Sequence, residues 1–179
     1  MRCFIGIELP VHIRKILYSV QKQIGSKYAK IKWVAPKNMH ITLHFLGEVD
    51  DNDIVEVKNI LSQIKSKKFA VCLDKIGWFP NSERVNVLWV GLKPEKEIFN
   101  LHGDIEIALK QFLHNGNSFS VHITIGRIKV LRHRMHFFRA LHEIIVRKEE
   151  FEISHFSLIK SELSKDGPRH IVLEQYPFL

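Results

Sequence analysis

Apolar residues recur along this chain at two different spacings, and each spacing predicts a different kind of element. Alternating apolar and polar positions bounded by Gly, Pro, Asn or Asp predict strands, and apolar positions three or four residues apart predict amphipathic helices. Strands are expected near 2–8, 30–34, 40–46, 69–79, 84–92, 121–127, 151–163 and 170–179. Helices are expected at 10–24, 50–64, 94–112 and 132–148, with a loop at 114–118 and a turn at 165–168.

The order of these elements indicates the fold class. Pairs of strands alternate with single helices, which favours an α+β fold with mainly antiparallel sheets over a doubly wound parallel sheet. No segment is low in complexity or has the composition of a linker. Residues 1–179 are therefore expected to form one two-lobed domain.

One three-residue phrase, His-Ile-Thr, occurs twice, as His40-Ile41-Thr42 and as His122-Ile123-Thr124, and its two threonines are the only ones in the chain. Side chains two residues apart in a strand share a face, so each His is expected beside its own Thr. The alternate positions are expected to face a core: Ile41, Leu43 and Phe45 in the first strand, and Val121, Ile123 and Ile125 in the second. The duplication predicts two related halves that face each other across a central cleft.

Two imidazoles across a cleft are suited to acid–base work on a phosphodiester. A neutral imidazole removes a proton from water, and an imidazolium gives one to the leaving oxygen on the opposite side of phosphorus. The hydroxyls of Thr42 and Thr124 are candidates to hold the charged non-bridging oxygens. This arrangement of His40 and His122 needs no metal, and a strained 2′,3′-cyclic phosphate is an apt substrate.

Two other interpretations of the first phrase compete with this one. A single His-x-Thr in a strand is most often ordinary packing. A metal site is the more specific alternative, because His40, Thr42 and His44 share a strand face and His122 supplies a further imidazole. No carboxylate or cysteine lies at ligand spacing near either phrase, which argues against metal.

Arg127 follows the second phrase and is a candidate for bidentate contact with a phosphate. Strand alternation argues against it, because position 127 points away from His122 and Thr124 unless Gly126 hosts a bulge. Three aromatic residues, Trp33, Trp78 and Phe79, are candidates either for stacking on a base or for the core.

Charge and cysteine usage narrow the class of partner. The 27 basic and 19 acidic residues give a formal charge of +8, which favours an anionic partner such as nucleic acid. Cys3 and Cys72 form no close-spaced motif, and no apolar run approaches the length of a membrane span. We therefore expect a reduced, cytoplasmic protein that acts as a monomer without a membrane or cofactor.

The phrases and their flanks resemble a known family, the 2H phosphoesterases, whose signature is a pair of His-x-Thr strands. The segments HITLHFLGEV, IGWFP, RVNVLWVGL, HITIGRIK and SELSKDGP are similar, in order and spacing, to the RNA 2′,3′-cyclic phosphodiesterases, also called 2′-5′ RNA ligases. The resemblance covers essentially the whole chain. It implies a pseudo-two-fold, two-lobed fold and metal-independent hydrolysis of RNA 2′,3′-cyclic phosphate ends to 2′-phosphate ends, with 2′-5′ ligation as the reverse reaction.

The resemblance also implies a role for each residue of the two phrases. His40 is the expected proton donor to the departing 3′-oxygen, His122 the base that activates water, and Thr42 and Thr124 the phosphate holders. The residues alone leave open which His is the acid. Two positions depart from the family pattern, Val121 where proline is frequent and His44 where lysine is common. The alternative function is a nucleotide- or RNA-binding module that uses the same cleft without turnover.

Overall fold

The computed structural model describes residues 1–113, 118–164 and 167–179. Its strands are β1 Arg2–Glu8, β2 Ala29–Trp33, β3 His40–Glu48, β4 Phe69–Pro80, β5 Val85–Lys93, β6 Ile123–Leu131, β7 Glu150–Ile153, β8 His155–Ser164 and β9 Gly167–Pro177. Its helices are α1 Val11–Ile24, α2 Asp51–Leu61, α3 Lys96–Ala108 and α4 Arg134–Glu143, with a 3-10 turn at Pro36–Asn38. Within the described residues, no helix is long and apolar enough to cross a bilayer.

The strands form one curled sheet, and all of their described pairings are antiparallel. The order is β7-β4-β5-β6-β3-β1-β8-β9, with β2 paired to β6. The halves β7-β4-β5-β6 and β3-β1-β8-β9 meet where β3 pairs with β6. These pairings confirm the predicted α+β class with antiparallel sheets.

The helices cover one face of the sheet. Helix α1 contacts β6, α3 contacts β3 and α2 packs on α3. In α4, Phe138 lies against Trp78 of β4, with ring centroids 5.0 Å apart. The apolar sides of these helices and the inward side chains of the strands form one buried cluster, which includes Ile41 and Ile123, both 0% exposed. The opposite face of the sheet is left to the polar residues of the phrases.

The prediction that Phe45 faces the core is wrong, because its side chain is 68% exposed. On β1, the neighbours Ile5 and Gly6 pair with His44 and Thr42, so β3 has one extra residue, Leu43, between these pairs and before Phe45. Such a bulge shifts the alternation of faces. Leu46, only 2% exposed, takes the buried position instead.

The strand predicted at 151–163 is two strands that belong to different halves of the sheet. β7 pairs with β4, whereas β8 pairs with β1 and β9. Between them, the carbonyl of Ser154 accepts a hydrogen bond from the backbone N–H of Phe178 at 2.8 Å, outside either ladder. The apolar pattern runs without a break across this junction, so the pattern did not reveal it.

The fourth helix is shorter than the predicted 132–148, and two of the four residues of its apolar pattern are exposed. Phe137 and Leu141 are buried, whereas Met135 and Ile145, expected on the inner face, are 85% and 83% exposed. Helix α4 ends before Ile144, where β-branched residues 144–146 follow and the chain extends towards β7. Residues 114–117 of the predicted loop and 165–166 of the predicted turn lie outside the described residues.

Gln21 is a buried polar residue that ties α1 to the second half of the sheet. It is 4% exposed, and its Nε2 donates to the carbonyls of Val34 at 2.8 Å and of Ile125 at 2.7 Å. The Ile125 carbonyl also accepts from the backbone N–H of Val34 at 3.0 Å. One amide therefore fixes the helix against the strand that carries the second phrase.

We expect Gln21→Ala to lower the free energy of unfolding by about 1–3 kcal/mol, because it removes two hydrogen bonds made by a buried side chain. Urea denaturation followed by circular dichroism measures the change. Gln23→Ala is the matched control, since Gln23 lies exposed on the same helix. Equal stability of the two variants would show that the Gln21 bonds contribute nothing.

Candidate active site

The two phrases meet at the joint between the halves of the sheet. Ile41 of β3 is the Cα partner of Ile123 of β6, and both point into the core. Because neighbours along a strand alternate in face, the residues that flank these two isoleucines point the other way. Those residues are His40, Thr42, His122 and Thr124, all half-buried. The predicted four groups therefore share one face, although His122 lies immediately before β6 and not within it.

Each imidazole is oriented by the carbonyl two residues before it. His40 Nδ1 lies 2.7 Å from the Asn38 carbonyl oxygen, and His122 Nδ1 lies 2.8 Å from that of Ser120. A carbonyl only accepts, so Nδ1 carries a proton in both rings. The Nε2 atom of each neutral ring is then left with its lone pair and is the atom that exchanges protons.

Aromatic rings support both imidazoles. The centroid of His40 lies 4.7 Å from Phe4 and 5.0 Å from His170. Across the joint, the centroid of His122 lies 5.0 Å from Phe79, edge to face, and 6.3 Å from Trp89. These rings restrict the motion of the imidazoles and keep water from their flanks.

Asn38 connects His40 to the far edge of the first half. Its side chain is buried, and Nδ2 donates to the carbonyl of Pro168 in β9 at 2.7 Å. Gly6 of β1 is the Cα partner of Thr42, and a Cβ there would lie 2.9 Å from the Ile41 carbonyl and 3.5 Å from the His40 ring. A glycine is therefore required beside the first phrase for β1 and β3 to approach this closely.

Burial determines the charge of both imidazoles. It lowers the pKa of His40 to about 4, the hydrogen bond to Asn38 opposes the shift, and the charges of His170, His122 and Arg127 add to it. Burial also lowers the pKa of His122, and Arg127 contributes in the same direction. Both rings are therefore neutral at pH 7 in the free protein, until an anion stabilises the charged form of one of them.

Arg127 lies on the side of the phrases because of a bulge in β6. Trp89 and Leu88 are neighbours on β5, but they pair with Thr124 and Gly126, so Ile125 has no partner there. Ile125 and Gly126 are both buried and Arg127 is exposed. The bulge that strand alternation required therefore exists, one residue earlier than expected, and Arg127 acts on the charge of both catalytic candidates.

His44 does not join the other imidazoles. Its ring stacks on His102 of α3 with centroids 4.1 Å apart, and its Nε2 lies 3.1 Å from the His102 carbonyl oxygen. Across residues 1–113, 118–164 and 167–179, no group of three or more His, Cys, Asp or Glu is arranged to hold a metal ion. The donors that the metal alternative required are therefore not assembled there.

Several supporting residues gave no signal in the sequence. Phe4, Asn38, His170 and Trp89 reach the site from β1, the 3-10 turn, β9 and β5, each through a long-range pairing. Of the aromatic candidates, Phe79 lies against His122, whereas Trp33 and Trp78 pack against the core. The glycine opposite Thr42 was the one available local hint, since Gly6 interrupts an otherwise apolar strand.

Comparison with known proteins shows the family of this chain. The family model described as LigT like Phosphoesterase matches residues 7–89, which contain the first phrase. An RNA 2′,3′-cyclic phosphodiesterase of Archaeoglobus fulgidus is 32% identical over 177 residues, covering 94% of this chain and 95% of the relative. The chain belongs to the LigT-like family of 2H phosphoesterases.

Further members of the LigT-like family extend the match over the second phrase. An RNA 2′,3′-cyclic phosphodiesterase of Methanocaldococcus jannaschii is 32% identical over 182 residues, covering 98% of this chain and all of the relative. The crystal structure of a Thermus thermophilus protein has the same fold, with a TM-score of 0.81 at 24% identity over 99% of this chain and 97% of that one. The LigT-like fold therefore spans both halves of the sheet.

The burial of the two imidazoles gives a testable charge state. We expect the ring signals of His40 to titrate near pH 4 and those of His122 below pH 6.5, because burial disfavours the imidazolium. Proton–nitrogen NMR of the labelled protein measures both values, with His40→Gln and His122→Gln to assign the signals. Added inorganic phosphate should raise both pKa values, and a His40 pKa of 6.5 or more would contradict the burial argument.

Proposed function

We propose that this LigT-like phosphoesterase is an RNA 2′,3′-cyclic phosphodiesterase that converts RNA 2′,3′-cyclic phosphate ends to 2′-phosphate ends. The observation that carries the proposal is the joint at Ile41 and Ile123, from which two imidazoles and two hydroxyls point to one face. Curated relatives that match this chain along nearly its whole length carry that activity in their names. The same site is expected to run the reverse 2′-5′ ligation.

The proposed mechanism is in-line attack on phosphorus with one imidazole on each side. His122 Nε2 is the proposed base, which takes a proton from water as the water oxygen bonds to phosphorus. His40 Nε2 is the proposed acid, which gives a proton to the 3′-oxygen as the bond from that oxygen to phosphorus breaks. The family supplies this assignment, and because burial lowers the pKa of His40, the ring must gain its proton when the substrate binds before it can act as the acid. The anionic substrate offsets the cost of charging His40 in a buried position.

The remaining groups of the site are proposed to hold the phosphate. The hydroxyls of Thr42 and Thr124 flank the isoleucine joint on the same face as the imidazoles. Arg127 adds a guanidinium, whose planar set of N–H donors suits two phosphate oxygens at once. Donors that are already oriented stabilise the charge that develops on the non-bridging oxygens without further rearrangement.

The proposal predicts that His40→Ala and His122→Ala each lower kcat by about 10²- to 10⁴-fold, the usual contribution of a general acid or base. Hydrolysis of cyclic-ended RNA with identification of the 2′-phosphate product is the assay. EDTA should leave the rate unchanged, because both proton transfers are made by side chains. His12→Ala, an exposed histidine on α1, is the control.

Full activity of either variant would defeat the proposed mechanism. Loss of activity in EDTA that a divalent ion restores would defeat its metal independence. Tight binding of cyclic-ended RNA without turnover by the wild type would instead favour a non-catalytic binding module.

The RNA chain is proposed to run over β2, at the open edge beside Arg127. Lys32 is the Cα partner of Arg127, so both side chains lie on the same face, and Lys30 shares that face two residues away. Both lysines are exposed, and neither makes an ion pair with a described residue. They offer free cations to phosphates upstream of the cyclic end.

We expect the double variant Lys30→Gln/Lys32→Gln to weaken binding of a cyclic-ended oligonucleotide but not of a cyclic mononucleotide. The slope of log affinity against log salt should become less negative by about 0.7 for each phosphate that the variant no longer neutralises. Lys15→Gln/Lys22→Gln on α1 is the matched control, since it removes the same charge from a helix that packs on the other face of the sheet. Equal weakening in both double variants would mean that net charge, and not this path, binds the RNA.

We further propose that residues 1–179 act as one two-lobed domain, as a monomer, in the cytoplasm. The shared sheet supports a single domain, because β3 and β6 join the two halves directly. Cys3 on β1 and Cys72 on β4 are both free, which suits a reducing compartment.

A further inference from the structure

Three rings stack face to face between β3, α3 and the segment that precedes β6. His102 of α3 is the central ring: its centroid lies 4.1 Å from that of His44 on β3, with planes 10° apart, and 3.8 Å from that of Phe119, with planes 8° apart. Phe99, one turn earlier on α3, meets Phe119 edge-on at 5.2 Å. We call His44, His102 and Phe119 the ring stack. It joins the strand of the first phrase to the segment that leads into the second.

His102 is fixed through both its side chain and its backbone. Its Nδ1 lies 3.1 Å from the Leu43 carbonyl oxygen, and its own carbonyl oxygen lies 3.1 Å from His44 Nε2. A carbonyl only accepts, so both ring nitrogens donate, and two reciprocal hydrogen bonds join α3 to β3. Only 15% of the His102 side chain is exposed. The central ring of the stack therefore has one orientation.

The segment before β6 is held by two side chains. Residues 118–122 belong to no helix or strand. Val121 is buried in the core, and Phe119 is half-buried on the ring stack. Between these two anchors, the Ser120 carbonyl accepts the Nδ1–H of His122 at 2.8 Å. The direction of that carbonyl depends on both anchors, because a peptide plane turns when the residues on either side of it move.

The first phrase has a separate support. The carbonyl that orients His40 is that of Asn38, in the 3-10 turn. Of the described residues, the rings against His40 are Phe4 and His170, and both lie outside the ring stack. Loss of the stack is therefore expected to disturb His122 and to leave the His40 ring in place.

We propose that His102 and Phe119 are positioning residues for His122. The ring stack holds the Ser120 carbonyl on Nδ1, which keeps the proton on that nitrogen and leaves Nε2 free to accept one. Without the stack, the imidazole also takes the other tautomer, in which Nε2 carries the proton and cannot act as a base. The inference rests on the proposed function, in which His122 is the base that activates water.

Proton–nitrogen NMR at pH 7 measures the tautomer directly in wild type, Phe119→Leu and His102→Ala. In wild type, His40 and His122 should each show a protonated Nδ1 and a bare Nε2. In both variants the two nitrogen shifts of His122 should move towards each other, because the tautomers mix, while those of His40 stay unchanged. Phe119→Tyr, which retains the flat ring, should keep the wild-type pattern.

Turnover of a 2′,3′-cyclic mononucleotide is the second measurement. Phe119→Leu and His102→Ala should lower kcat about 3- to 10-fold, the equivalent of one hydrogen bond, with little change in KM. Phe119→Tyr should keep the wild-type kcat, and so should the matched control Ile107→Ala, which alters an exposed residue of α3. Thermal melting verifies folding. If His102→Ala does not fold, the comparison of Phe119→Leu, which keeps the apolar bulk, with Phe119→Tyr decides.

An unchanged His122 tautomer in the folded variants would overturn the inference. Equal changes at His40 and His122 would overturn it too, because they would indicate a general loosening of the fold, as would a Phe119→Tyr variant as defective as Phe119→Leu. If wild type hydrolyses no cyclic phosphate, the proposed function fails, and the tautomer measurement still decides whether the stack positions His122.

Discussion

The site depends on one hydrophobic constraint, the burial of Ile41 and Ile123 where the two halves of the sheet meet. Both isoleucines are fully buried, and their pairing is the point where β3 contacts β6. A shift of either strand by one residue would turn a His and a Thr into the core and an isoleucine into the cleft. The core therefore enforces the register, and the register places the imidazoles. The positions of the two imidazoles are therefore a consequence of apolar packing.

The same local hydrogen bond orients the imidazole in both halves. Each Nδ1 donates to the carbonyl two residues earlier, which fixes the tautomer and leaves Nε2 for proton transfer. Burial strengthens every interaction with a bound phosphate but disfavours a charged ring. This second effect of burial is what lowers the pKa values of His40 and His122.

The two halves are related but not equivalent, because different charged residues surround the two phrases. On the β1 side, Glu8 is ionised and accepts hydrogen bonds from Ser157 and Gln175. On the β6 side, Arg127 and Lys32 are paired across β6 and β2 and present positive charge. The two phrases are alike, but the charged residues around them are not.

The sequence by itself determined the strands, most of the helices and the two phrases, because alternation and helical spacing are local properties of the chain. It also determined that Ile41 and Ile123 face the core, since no bulge intervenes beside them. It could not place Phe45 or Arg127, because a bulge depends on which strand lies alongside and reverses the alternation from that point. It gave no sign of His170, which reaches His40 only after β9 has paired with β8 at the end of the chain. Contacts between distant strands are decided by the sheet order, and only the tertiary structure contains that order.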